Sequence, residues 1–261
     1  FSAGYLALVL LIAALIMRGV SFEFRGKVDS DRWRRTWSGT LTIGSALAPF
    51  LTGVALGDLL AGLPVGSDQE FTGSFWDLLT PYGLWMGVTL LVLCLLHGAT
   101  FLGLKTTAQV RDRAHLIARR LAWVAVAVVV SYVGWTFVLS DKDVLLVVLL
   151  ALAVVAIIVA AVTVGRGRDG RTFAMTFVAI AATVAGFFAS LYPNVLVSST
   201  DAANSLTVAN TAAGSYALTV MTVVAAIFFP LVLAYQIWGY VVFRRRVSAP
   251  PASPEPTAGP A

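Results

Sequence analysis

The chain has 261 residues, of which 59% are hydrophobic and only 12% charged, and its mean hydropathy is +0.87. Soluble domains carry charge on about a quarter of their residues, so a single water-solvated core is excluded and the bilayer must be the solvent. The formal charge of +5 and the pI near 9.7 do not point to nucleic acid, because the basic residues cluster at alternate connections between apolar runs.

Seven apolar segments follow in order, at 4–22, 38–60, 82–104, 120–139, 144–164, 172–191 and 215–242. Each is long enough to cross about 30 Å of hydrocarbon as a helix. Barrel strands would need only about ten residues of alternating polarity, and 124–130 and 144–161 show no alternation. The expected fold class is therefore an all-α polytopic transmembrane bundle. The many Val and Ile in these runs do not argue for sheet, since an isolated segment in lipid satisfies its backbone only as a helix.

The first run starts almost at Phe1, with no methionine and no signal-peptide n-region, which predicts a preceding portion outside this numbering. It contains Arg18, the one Lys or Arg in the interior of a predicted span. An arginine at mid-bilayer costs about 2.5 to 3.5 kcal/mol, and less near an end where it can snorkel. Arg18 is thus either an anchor or the partner of an acid on a neighbouring helix or subunit. Glu23 opens the first connection in EFRGK, either as a solvated carboxylate or as a proton-entry group at the mouth of a polar path. A spacing of five residues turns it away from Arg18 on a straight helix.

The connection 23–37 holds Arg25, Lys27, Arg32, Arg34 and Arg35. The second run carries Gly53 and Gly57, a small-xxx-small pattern that permits close helix approach, and ends near Asp58 in VALGDLLAG. Asp58 is expected at the interface and hydrated, as a polar packing or channel residue. The next connection, 61–81, is rich in turn formers. The third run contains His97 in LLHGAT, and a lone histidine at mid-span is either a hydrogen-bonded packing residue or a haem ligand. Bis-histidine ligation would need a second intramembrane histidine, but His115 lies among Arg111, Arg113 and Arg119 in the next connection.

The 140–143 connection is a tight hairpin that makes its two flanking helices antiparallel neighbours. Beyond it come Arg166, Arg168 and Arg171, then the last run, then Arg244, Arg245 and Arg246. Sixteen of the eighteen Lys and Arg sit on one set of alternate connections, Arg18 and Lys142 being the other two. The opposite set carries Asp58, Asp68, Glu70, Asp77, Asp141, Asp143 and Asp201. The basic connections and the C-terminus are therefore expected in the cytoplasm. Residues 1–247 form one transmembrane domain, and 248–261, mostly Pro, Ala and Ser, form a disordered cytoplasmic tail.

Cys94 has no mate, so neither a disulfide framework nor a cysteine metal cluster is available. Nothing matches a phosphate-binding loop, a dinucleotide fingerprint, a metalloprotease helix or a serine-hydrolase elbow, so no catalytic residue and no metal ligand is assigned. Most of the seven tryptophans, Trp33 and Trp37 among them, fall where aromatic belts lie.

Specific strings go further than composition. LIMRGVSFEFRGK, DRWRRTW, GVALGDLLAGLPV, FTGSFWDLLTPYGLWMGV, LLHGATFLGLKT, LYPNVLVSST and SLTVANTAAGSYALTVMT occur in an order that resembles subunit II of cytochrome bd type quinol oxidases. The resemblance covers the chain from end to end. It implies a family of nine helices whose first two precede this numbering, together with the family's Trp-Asp-Gly-Asn string. It also implies that haems b and d are ligated by a partner, subunit I, where quinol is oxidised and oxygen reduced to water. This chain would be a haem-free scaffold that helps line a proton path, with Arg18 and Glu23 matching the family arginine and acid. His97 falls where the family also tolerates glutamine, which lowers the haem-ligand reading. A bound quinone and a small accessory subunit are left open by the resemblance, and lipid and quinol are the remaining partners. The competing class is a secondary transporter of the inner membrane, which predicts discontinuous helices around an internal polar site.

Overall fold

The computed structural model describes residues 4–68, 70–140, 143–243 and Arg245. The predicted tail and the residues Asp141, Lys142, Arg244 and Arg246 lie outside the described residues.

Among the described residues, seven helices are long and apolar enough to cross a membrane: α1 (Tyr5–Phe24), α2 (Asp31–Ala61), α3 (Pro81–Lys105), α4 (Ala108–Leu139), α5 (Val144–Thr163), α6 (Asp169–Leu191) and α8 (Ser215–Val242). A one-turn helix, α7 (Val208–Thr211), lies between the last two of these. The protein is therefore a polytopic all-α membrane protein.

Two starts differ from the hydropathy reading. Helix α2 begins at Asp31 rather than 38, and α4 at Ala108 rather than 120. Hydropathy marks where lipid begins, whereas helix propensity marks where the helix begins. The polar stretch before the first of these runs is rich in Arg and that before the second in Arg and Ala, which propagate a helix as well in water as in lipid. Arg32, Arg34 and Arg35, and Arg111, Arg113, Arg119 and Arg120 with His115, thus stand on helical extensions rather than in loops.

Helices α3 to α6 close a ring in which α3 packs on α4 and α6, and α5 on α4 and α6. Its centre is filled by Leu93 and Leu96 of α3, Ala122, Ala125 and Val129 of α4, Ala153 and Ile157 of α5, and Ala179 and Ala182 of α6. Alanines dominate because attraction between helices in lipid comes from close packing rather than from expelling water, and small side chains let backbones approach. Helix α2 packs on α3, and α1 on α2. At Gly44 an added Cβ would lie 2.7 Å from the Ala14 carbonyl oxygen and 3.3 Å from Arg18 Cβ, so α1 rests directly on the backbone of α2 beside Arg18.

The α2–α3 seam is closer still. A Cβ on Gly53 would lie 2.7 Å from Gly87 Cα, and one on Gly57 would lie 2.6 Å from Gly83 Cα. The glycine pair expected on α2 meets a second pair, four residues apart, on α3.

At the basic end the α1–α2 turn is clasped by Trp33, whose indole N–H donates to Phe24 O at 2.7 Å, with Trp37 packed on Phe24 and Trp33. These two tryptophans, assigned from sequence to an aromatic belt, fasten a turn. At the acidic end the connections form a small cap. Strands β1 (Asn194–Leu196) and β2 (Leu206–Thr207) pair antiparallel, and Leu63 bridges to Ser198. Beneath them Leu63, Val65, Leu78 and Leu196 are buried together. Val65 O accepts from Thr200 Oγ1 at 2.6 Å and Asn204 Nδ2 at 3.1 Å, which ties the two long connections into one lid. Helix α8 has no buried residue; Lys105 Nζ donates to Phe243 O at 3.0 Å near its end.

Candidate functional site

The four residues singled out from sequence occupy three separate places. Arg18 and Glu23 are on the basic half of α1, both exposed. Arg18 makes no ion pair among the described residues. Glu23 lies in the last turn of α1, not in a loop, and its carboxylate is 4.0 Å from Lys27 Nζ with three quarters of its side chain exposed. Such a pair in water holds little energy, so Glu23 is accessible to protons from the solvent.

Asp58 differs from its expected hydration. It is only 3% exposed, because Thr80 and the start of α3 close over the end of α2. Thr80 Oγ1 donates to Asp58 Oδ1 at 2.6 Å and accepts from Gly83 N at 3.0 Å, so one hydroxyl caps α3 and holds the carboxylate. Room for that carboxylate comes from Gly83, where a Cβ would overlap Asp58 Oδ1. Nearby, Tyr82 Oη and Thr136 Oγ1 share a hydrogen bond of 2.8 Å, linking α3 to α4.

His97 faces α6 from the middle of α3. Its Nδ1 is 2.8 Å from Thr176 Oγ1, and its ring stacks on Phe173 with centroids 4.5 Å apart. His115 is elsewhere, 3.4 Å from Asp169 Oδ1 on the basic side. The two histidines share no pocket, and no three His, Cys, Asp or Glu side chains gather among the described residues. A haem held between the two histidines does not fit the described residues.

A fourth place was not found from sequence. Asp169, at the start of α6, accepts from Arg111 Nη2 of α4 at 2.8 Å, and its side chain is 8% exposed. Beside this pair lies a cavity of about 10 Å³, lined by Thr100, Gly103, His115, Asp169 and Thr172 among others. Thr100 Oγ1 is 3.4 Å from Thr176 Oγ1, so polar groups continue from this cavity to His97. In the sequence, 166–171 reads as a basic connection with Asp169 as its one acid. The only available signal was a carboxylate among arginines at the predicted start of a span.

The sequence model of the family described as cytochrome bd terminal oxidase subunit II matches residues 1–243. The chain is 37% identical over 251 residues to the Bacillus subtilis cytochrome bd ubiquinol oxidase subunit 2, covering 95% of this chain and 74% of that protein. It is 30% identical over 277 residues to the Escherichia coli K12 cytochrome bd-I ubiquinol oxidase subunit 2, covering 92% and 73% respectively. Each span forms one continuous helix, including α2 and α8 with Pro49 and Pro230 inside them. Broken helices around a central site, which a transporter would need, are not among the described residues.

Proposed function

This chain belongs to the cytochrome bd terminal oxidase subunit II family and is one part of a quinol oxidase complex, and we propose that its own share of the work is twofold. It scaffolds the haem-bearing subunit I, and it gives protons a way in from the cytoplasm. The basic end faces the cytoplasm in this reading, since fifteen or more arginines and lysines on one side are held there by the positive-inside bias.

Reduction of oxygen to water consumes protons, which must reach a buried centre through lipid-embedded protein. The haems b and d of subunit I supply the one-electron chemistry. What this chain adds is the pair on α1. Glu23 stands in water at the cytoplasmic rim, where an exposed carboxylate exchanges protons freely. Arg18 stands five residues deeper, with a guanidinium available to an acid on a neighbouring subunit. Ionisable groups at membrane depth mark proton relays. The observation that carries the reading is Arg18 on the exposed face of α1 with no ion pair among the described residues, inside a chain whose family match runs over residues 1–243.

The test is Glu23→Ala in the assembled oxidase. Oxygen consumption is expected to fall severalfold while the haem absorbance stays unchanged; full activity would remove Glu23 from the path. A haem spectrum from the purified chain alone would overturn its haem-free assignment.

A further inference from the structure

We propose that the α3–α6 ring contains a second, water-dependent proton inlet, which enters at the basic end beside His115 and runs through Thr100 and Thr176 to His97. It rests on the cytoplasmic orientation proposed above but uses none of the residues on α1.

Two spaces meet at His115. One is an open vestibule of about 470 Å³ lined by Arg111, Asp112, His115, Arg119 and Gly165. The other is the inner cavity of about 10 Å³, which is also lined by His115 and Gly165. That inner volume is on the order of what a single water needs, provided polar partners surround it. Thr100, Asp169, Thr172 and His115 supply them, and the rest of the lining is alanine, valine and glycine.

The imidazole gives an independent sign of an occupant. His115 Nε2 is buried and makes no hydrogen bond, although Asp169 Oδ1 is 3.4 Å away. A buried ring nitrogen left unmatched is costly, and a water in the adjoining cavity would satisfy it. Gly103 keeps the space open, since a Cβ there would come within 3.1 Å of that nitrogen. The cations at the mouth are already engaged, Arg111 by Asp169 at 2.8 Å and Arg119 by Gly165 O at 3.0 Å.

Beyond the water the groups follow at relay distances. Thr100 Oγ1 and Thr176 Oγ1 are 3.4 Å apart, and Thr176 Oγ1 is 2.8 Å from His97 Nδ1. At rest both hydroxyls give their hydrogens to helix carbonyls, Thr100 to His97 O and Thr176 to Phe173 O. Rotation of the two hydroxyls aligns them into a chain. The water then accepts a proton from the vestibule side and gives one to Thr100, which passes its own to Thr176. Thr176 in turn protonates His97 at Nδ1, and the ring releases its other proton from Nε2. At rest, with the Thr176 hydrogen on Phe173 O, His97 Nδ1–H is the donor to Thr176 Oγ1, so the relay runs only once the ring has taken the Nε2–H tautomer and Thr176 has turned its hydrogen toward Nδ1. The imidazole is half-buried on the face of α3 that carries the exposed Cys94 and Phe101, and the proton released from Nε2 passes there to a carboxylate or water of the subunit that covers this face in the complex.

The experiment uses the whole oxidase complex. A high-resolution map is expected to show one water between Thr100 and His115, and a dry cavity overturns the proposal. Thr100→Val and Thr176→Val, compared with the parent at equal haem content, are expected to slow oxygen consumption severalfold and to enlarge its solvent deuterium isotope effect. Thr100→Ser and Thr176→Ser should restore both. Valine variants with the parent rate and isotope effect overturn the inlet, whatever Glu23→Ala does. Loss in the valine variants with full activity in Glu23→Ala supports the inlet and removes the α1 route.

Discussion

Asp58 shows what a single residue can conceal in a sequence. Its neighbours in VALGDLLAG give a helix end, and a helix end in a membrane protein suggests water. The groups that bury it, Thr80 and Gly83, are more than twenty residues away, joined by a hydrogen bond spanning 22 positions. No periodicity reports such a contact. The three residues are tightly coupled, which predicts non-additive mutations. Asp58→Ala leaves the Thr80 hydroxyl without its acceptor and should destabilise the assembled protein by about 1–3 kcal/mol. Gly83→Ala pushes a methyl group into the same carboxylate and should cost a similar amount in the parent. In an Asp58→Ala background that second cost should shrink by about 0.5 kcal/mol or more, as for residues in direct contact. Thermal unfolding of the detergent-solubilised complex measures all four corners of the cycle, and strict additivity would deny the contact.

At the scale of elements, the apolar runs announced every span, and the glycine spacing on α2 announced a close seam. The partner of that seam was not legible, because Gly83 and Gly87 stand in PYGLWMGV, where the aromatic residues dominate the pattern. A bulky side chain at Gly57 cannot be relieved by side-chain movement alone, since Gly83 Cα and N of the opposing backbone stand in its way. Gly57→Leu should therefore separate α2 from α3 and destabilise the complex by at least the 1–3 kcal/mol, roughly, of core overpacking. Gly39→Leu on the same helix, where a Cβ meets nothing within 4 Å, is the control and should be near neutral. Equal behaviour of the two variants would remove the seam. The cap at the acidic end escaped the sequence for another reason. Strands of two and three residues are too short for alternation to register, and their stability comes from Val65 O and the side chains beneath it.

At the scale of the whole molecule, the number and order of the spans were the most legible property of all. Pairing between distant helices was the least. The Arg111–Asp169 bond joins residues 58 positions apart, and only the closed ring of α3 to α6 brings them together. The proposed orientation has a direct check. In a Cys94→Ala background, Arg34→Cys should resist a membrane-impermeant maleimide in intact cells and react after permeabilisation. Asp68→Cys should react in intact cells. The reverse pattern would turn the molecule over and take both proposed proton routes with it.

Helix α8 bears on how such a chain survives after synthesis. It is hydrophobic enough to enter the bilayer unaided, yet it gains almost no stability from the other six spans, since none of its residues is covered by them. In the two-stage view of membrane folding, it completes insertion and then waits on association. A newly made copy without its complex would present a loose hydrophobic hairpin end to membrane proteases. Abundance of the polypeptide in cells is therefore tied to assembly rather than to its own folding, and pulse-chase lifetimes with and without the rest of the oxidase should differ accordingly.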